Sequence, residues 1–358
     1  MAWLTGWTHR EKLTIQHAHV DSALTDFSVC VKLSADADYS DALATGADIR
    51  FTDSDGETLL KHEMESWVGG GGGAVTADFW VKLPSISAVA GTDFYVYWEK
   101  ADAADAQDAA NVWDANYEGV WHLHQGDSTA AGFYTDSSGN AHHGTLSDAD
   151  GDTVQADGKV SKCLDFAGDA DYIGIGTVSL HATLNTIEAW IRSDSVPTTQ
   201  RLFVQGNNNY GNNLSIQIYS SAIRGIHGKD GGGQIVGSSQ AISSDTWYHV
   251  AYAVDDGANK SVLYINGLPV QTDAANTIGT AAYIAAIAAY SDGSNERFNG
   301  DIDEVRLSVG AARSAAWIKF TYHNIAEADN ELTWGGKETA SVAGRKAPIL
   351  GGGIGLGV

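Results

Sequence analysis

The 358 residues carry 45 acidic against 21 basic side chains, a formal net charge of −24, with 41 glycines and four prolines. Such a field repels polyanions, so nucleic acid and anionic membrane are excluded as expected partners, and no run reaches the ~18 apolar residues of a membrane span. The length suffices for two domains, and short runs of β-formers between glycine-rich turns mark an all-β chain.

Taken in order, the first ten residues lack both a basic and an apolar leader region, so no cleaved signal is expected. Lys12–Gln16, Phe27–Leu33, Asp48–Thr52, Phe79–Leu83 and Thr92–Glu99 read as strands, rich in β-branched and aromatic residues. Asp48, Asp53, Asp55 and Glu57 have a superficially calcium-like spacing. They lack the run and flanking helices of an EF-hand, which leaves turn chemistry as the expectation. Five consecutive glycines, 69–73, predict a flexible loop, and the alanine-rich stretch 101–110 predicts a short helix. Cys30 and Cys163 lie in separate strand-like runs and are expected as buried thiols without a bridge.

The order W-x3-W-T-H-R-x-K-L-T-I, F-S-V-C-V-K-L, G-A-D-I-R-F-T-D-S-D-G, F-W-V-K-L-P and Y-V-Y-W resembles an uncharacterised β-sandwich module. In bacterial and phage proteins that module often precedes laminin-G-like domains. The resemblance implies a first sandwich over residues 1–116 and no particular chemistry.

Strand patterns restart at Glu118–His124 and continue through Lys162–Phe166, Thr186–Ile191, Arg201–Gly206, Trp247–Tyr252 and Val262–Gly267. Asn266-Gly267 supplies the positive φ of a hairpin turn. In Arg297–Ser308 the apolar phase slips by one residue between Ile302 and Val305, the mark of a β-bulge. Ala312–Ile318 predicts a short capping helix. These motifs resemble, in order, the laminin-G-like domains of the concanavalin A-like jelly-roll superfamily. The expected fold is therefore two tandem β-sandwiches, the second a jelly roll over 117–334, followed by a glycine-rich apolar tail over 335–358.

Related glucanases use carboxylates spaced along one strand, and Asp301, Asp303 and Glu304 invite that comparison. On a regular strand Glu304 points away from the other two unless the bulge re-aims it. No catalytic set is assigned and no enzyme is expected. The histidine pairs His17/His19, His122/His124 and His142/His143 fall short of a zinc ligand set and are expected as solvent-facing or hydrogen-bonded. The resemblance implies a rim site for calcium, with Asp169, Asp171 and Asp292 as candidate ligands. Asn207, Asn208, Asn209, Tyr210, Asn212 and Asn213 offer amides and a ring for a glycan, or a polar hairpin loop. Ile349, Leu350, Ile354, Leu356 and Val358 give the tail an apolar surface for assembly.

The expected function is non-enzymatic binding or structure in a virus particle, as a tail-fibre, head-fibre or decoration protein made in the host cytoplasm. Its partners would be other virion proteins, copies of itself or cell-surface glycans. The alternative is a cell-surface or extracellular lectin, with a glycoside hydrolase third.

Overall fold

A computed structural model describes residues 2–148, 150–196, 198–207, 211–228, 234–236, 239–275, 278–326 and 331–341, the side chains of 207, 211–213 and 234–236 excepted. The first module contains β1 (His9–Ile15), β2 (Leu24–Asp36), β3 (Arg50–Asp53), β4 (Leu59–Leu60), β5 (His62–Gly70), β6 (Gly73–Ile86) and β7 (Thr92–Trp98). The jelly roll begins with β8 (Tyr117–Trp121), β9 (Thr145–Ser147), β10 (Val154–Asp157), β11 (Lys162–Ala167), β12 (Tyr172–Val178) and β13 (Leu184–Ser193). It continues through β14 (Gln200–Asn207), β15 (Gly211–Tyr219), β16 (Ala222–Gly228), β17 (Gln234–Val236), β18 (Gln240–Ala241) and β19 (Tyr248–Asp255). β20 (Lys260–Ile265), β21 (Leu268–Asp273), β22 (Tyr283–Ile287) and β23 (Asn299–Val309) complete it, and α1 (Ala315–Ala326) and β24 (Leu332–Thr339) follow.

Four antiparallel sheets result: β24-β1-β7-β3-β4, β2-β6-β5, β10-β11-β23-β13-β19-β20-β21 with β8 on β23, and β17-β16-β15-β14-β22-β12-β9 with β18 on β16. In the second sheet alternate residues serve different neighbours. Phe79 meets Phe51 of the first sheet, while Trp80 meets Trp113 and His122 on the side of the third. Both faces of this small sheet are therefore covered, which is why β2 and β6 read as near-continuous apolar runs. The jelly-roll core lies between the third and fourth sheets, with Ile187, Ile191, Tyr252, Ile302 and Leu307 facing Ile173, Phe203, Ile216 and Ile287.

Several expectations are corrected. The glycine run is the tight β5–β6 turn, not a loose loop: Gly71 and Gly72 donate to the carbonyls of Ala42 and Ser40 at 2.7 and 2.8 Å. Positive φ at Gly69 to Gly72 is what the glycines supply. The stretch 101–110 forms no helix. It hydrogen-bonds the backbone of β5, with Asp108 N–H donating to His62 O and Met64 N–H donating to Gln107 Oε1, and only Ala109–Asn111 makes a 3-10 turn. The capping helix is longer than predicted, because Ser314 accepts from Trp317 N–H and an apolar face carries the helix on to Ala326.

The proposed tail boundary also moves. After Trp334 the chain stays in β24, pairing with β1 from Ile15↔Leu332 to His9↔Thr339. Gly336 N–H donates to buried Glu11, and Arg10 binds Glu338 at 2.8 Å. The last described strand thus returns to the first module. The assembly residues Ile349, Leu350, Ile354, Leu356 and Val358 lie outside the described residues.

Candidate functional site

The bulge in β23 is present, with Glu304 at φ +53 and the pairing to β13 slipping between Glu188 and Trp190. It re-aims Glu304 to the side of Asp301 and Asp303, the face of the third sheet turned to the first module. All three carboxylates are at most 2% exposed. Asp301 pairs with Arg192 at 2.5 Å, and Asp303 accepts from the Lys159 and Val160 amides. Glu304 lies 2.7 Å from His122 Nδ1 and takes Arg306 at 2.5 Å.

Across the seam the first module answers with Glu63 and Glu65. Glu63 accepts from Trp113 and from Ser137 Oγ, and sits 3.4 Å from His122 Nε2, while Glu65 accepts from Trp80 Nε1. The Arg306 guanidinium lies over Trp80 and Trp113, 4.4 and 5.0 Å from their centres. Burial works against a charged His122, yet Glu304, Glu63 and Glu65 hold its pKa well above the ordinary value. Burial likewise opposes ionised Glu304, but His122 and Arg306 hold it down at about 2. Burial and then the charge of Glu304 push Glu65 and Asp303 well up. These groups form a packed ionic seam at which a sugar ring has no access.

A different acidic group lies at the rim. Asp148, Asp150, Asp152 and Asp171 each bring a carboxylate oxygen within 4.8 Å of the others. Asp171 is fully buried, and neither of its oxygens, nor the buried Thr153 hydroxyl, has a well-formed hydrogen bond. Burial and the charges of Asp148 and Asp152 push its pKa up to about 6. A buried carboxylate costs several kcal/mol unless something compensates it, and hard oxygen donors are calcium chemistry. Of the expected ligands, Asp171 is central, Asp169 lies beside Asp150, and Asp292 falls elsewhere, accepting from Ser294 N–H in its own turn. Asp148, Asp150 and Asp152 are not among the expected ligands, although their alternation before Thr153 is visible in the sequence.

The outer face of the fourth sheet points away from the first module. The segment 290–297 roofs part of it, anchored by Ser291 Oγ donating to Gly206 O. Tyr290, Ser294, Asn295 and Glu296 of this segment line a pocket of about 380 Å³. Arg201 of β14 is ion-paired to Glu296 and lies 5.1 Å from the Tyr290 ring centre. Of the expected glycan residues, Asn208, Asn209 and Tyr210 lie outside the described residues. Asn207, Asn212 and Asn213 are placed only as backbone at the adjoining end of the β14–β15 hairpin.

Residues 167–319 match the sequence profile of the Concanavalin A-like lectin/glucanases superfamily, and residues 45–136 match a domain of unknown function (DUF2341). The chain carries a concanavalin A-like domain. The upstream match runs to 136, past the boundary expected at 116 and up to Ser137, which binds Glu63 across the seam.

Among solved structures, domain 4 of the arabinanase AbnA from Geobacillus stearothermophilus, in complex with arabinotriose, is 20% identical with a TM-score of 0.46, over 57% of this chain and 97% of that one. The binding domain of Paraclostridial Mosquitocidal Protein 1 is 15% identical (TM-score 0.43, 60% and 53% covered). The receptor binding domain of botulinum neurotoxin D is 13% identical (0.43, 58% and 52%), so the chain spans about half of each toxin domain. The search of curated proteins returned no match.

Other expectations meet the structure directly. Asp48, Asp53 and Asp55 do turn work, Asp48 accepting from the amides of Leu43, Glu99 and Lys100. Cys30 and Cys163 are both buried thiols. His142 pairs with Glu118 at 2.9 Å, and His143 Nδ1 accepts from Asp136 N–H. No described helix is long and apolar enough to cross a membrane.

Proposed function

We propose that the chain is a non-catalytic saccharide-binding protein whose ligand occupies the pocket lined by the 290–297 segment. The observation that carries this reading is the pocket lining: a tyrosine ring, a hydroxyl, an amide and a carboxylate converge on about 380 Å³. A ring to stack on and a few directed polar groups are what a sugar requires. Hydrolysis would need a carboxylate pair flanking the glycosidic bond, and the carboxylates of β23 are instead held in the seam.

Calorimetric titration with a panel of oligosaccharides tests the proposal. A ligand is expected to bind the wild type and to weaken roughly tenfold on Tyr290→Ala or Asn295→Ala, the loss of one good contact. Binding untouched by both changes removes the pocket from the reading.

The same proposal includes calcium at Asp148, Asp150, Asp152 and Asp171. The expected result is calcium-dependent heat and a higher melting temperature, both abolished in Asp171→Asn. An identical melt in calcium and in chelator argues against it.

A place in a virus particle, with other virion proteins or further copies as partners, rests on the tandem sandwiches and the apolar composition of 347–358. Light scattering on the full chain and on a chain ending at Ser341 tests it. An assembly lost on truncation is the expected result, and a monomer in both forms returns weight to a cell-surface lectin.

A further inference from the structure

Three adjacent strands of the fourth sheet carry a row of polar residues in exact cross-strand register. Arg201 of β14 stands opposite Gln217 of β15, and Gln217 stands opposite Arg224 of β16. All three project to the outer face. Ile216 and Ile218 flank Gln217 and enter the jelly-roll core, while a Cβ on Gly225, next to Arg224, would strike the buried Tyr252 ring at 2.2 Å.

The two arginines differ in their partners. Arg201 is neutralised by Glu296 and also donates to Ser215 Oγ at 3.2 Å. Arg224 has no ion-pair partner among the described residues. It lies with its guanidinium 3.9 Å from the centre of the Tyr219 ring, which is 45% exposed, and its Nε is buried without a hydrogen bond. Gln217, between them, is fully buried, and neither its amide nitrogen nor its oxygen has a partner.

A stacked but unpaired guanidinium is uncommon in a chain of net charge −24, where carboxylates are abundant. The ring holds its planar fork in place, and the fork suits a two-oxygen anion. Burial, the largest cause, and the charge of Arg201 hold the Arg224 pKa below the ordinary arginine value, while Tyr219 and Glu296 act the other way.

We propose that Arg224, stacked on the exposed Tyr219 ring at the end of this row, is the subsite for the negative group of an acidic saccharide, a hexuronate carboxylate or a sugar sulfate ester. Arg224 grips the anion and Tyr219 positions the guanidinium, while Gln217 lies buried beneath them. This rests on the saccharide reading above and names the class of ligand. The neutral part of the chain would extend towards Tyr290 and Asn295.

The test is calorimetric titration of the full chain with a hexuronate trisaccharide, a sulfated disaccharide and a neutral trisaccharide, in low and high salt. At least one acidic probe should bind about tenfold more tightly than the neutral one, and less well in high salt. Arg224→Ala should remove that preference, and Arg224→Lys should fail to restore it, because a point charge lacks the fork. The lysine variant carries the test if the alanine variant folds poorly, and melting curves check both. The acidic probe that binds distinguishes carboxylate from sulfate. A neutral probe binding equally well, or an acidic probe indifferent to both variants, overturns this inference and leaves the saccharide reading standing. Failure of every saccharide to bind overturns both.

Discussion

His122 shows how one side chain can be misjudged from its neighbours in sequence. Paired with His124 at strand spacing, it reads as a solvent-facing or hydrogen-bonded histidine; it is hydrogen-bonded, but 1% exposed among Glu63, Glu65 and Glu304. Removing one partner of such a group leaves an uncompensated buried charge, so His122→Ala or Glu304→Gln should cost about 3–5 kcal/mol in denaturant unfolding. The pH dependence follows from the signs of the shifts. His122 is raised in the fold, so its contribution is complete below about pH 6.5 and is lost as pH rises through the folded value. The raised Glu65 and Asp303 also cost stability as pH rises from their unfolded values. Glu304, at about 2, contributes fully above its ordinary 4.5 and loses that contribution as pH falls towards 2. Thermal stability should therefore peak on the mildly acidic side, between about pH 4.5 and 6.5. A melting temperature that climbs from pH 6 to 9 would contradict the seam as described.

At the scale of elements, β24 and α1 are the parts whose roles the linear chain hides. β24 completes the edge of the first sheet, so a chain ending at Trp334 loses Gly335–Thr339, the Gly336–Glu11 bond and the Arg10–Glu338 pair. That truncation should lower the melting temperature by several degrees, whereas ending at Ser341 should leave it unchanged. α1 wedges between the modules, with Trp317 and Phe320 against Phe27 of β2 and Tyr322 stacked on Trp190 of β13. Its Asn324 accepts from Cys30 N–H at 2.8 Å and donates to Cys30 O at 3.2 Å, closing the free edge of β2. Asn324→Ala should cost about 1–3 kcal/mol, because it strands buried backbone groups that no water reaches.

For the whole molecule, one hydrophobic cluster runs from Leu13 and Phe79 of the first module through Trp113 and Val160 to Trp190, Ala251 and Tyr264 of the third sheet. Two sandwiches joined in this way should unfold in a single cooperative transition by calorimetry, and two well-separated peaks would refute the shared core. Residues 117–341 produced alone should aggregate, since Trp190, Val262 and Tyr264 lose their cover. The enclosure also bears on function. The face of the third sheet that holds the strand carboxylates belongs to the seam, which leaves the rim and the far sheet for ligands.

Local pattern was enough to read the all-β class, the order of the strands, the Asn266-Gly267 turn and the bulge before Val305. Each depends on alternation or turn chemistry within a few residues, and each is recorded directly in the chain. What pairs across distance could not be read in this way. Glu63 meets Ser137 and His122, Arg10 meets Glu338, and Asp171 meets Asp148, because folding brings together segments whose spacing carries no signature. Periodicity gives each strand's two faces but not what covers them. Only the packing of the sheets decided that Asp301, Asp303 and Glu304 would be enclosed and that Arg224 would have no ion pair among the described residues.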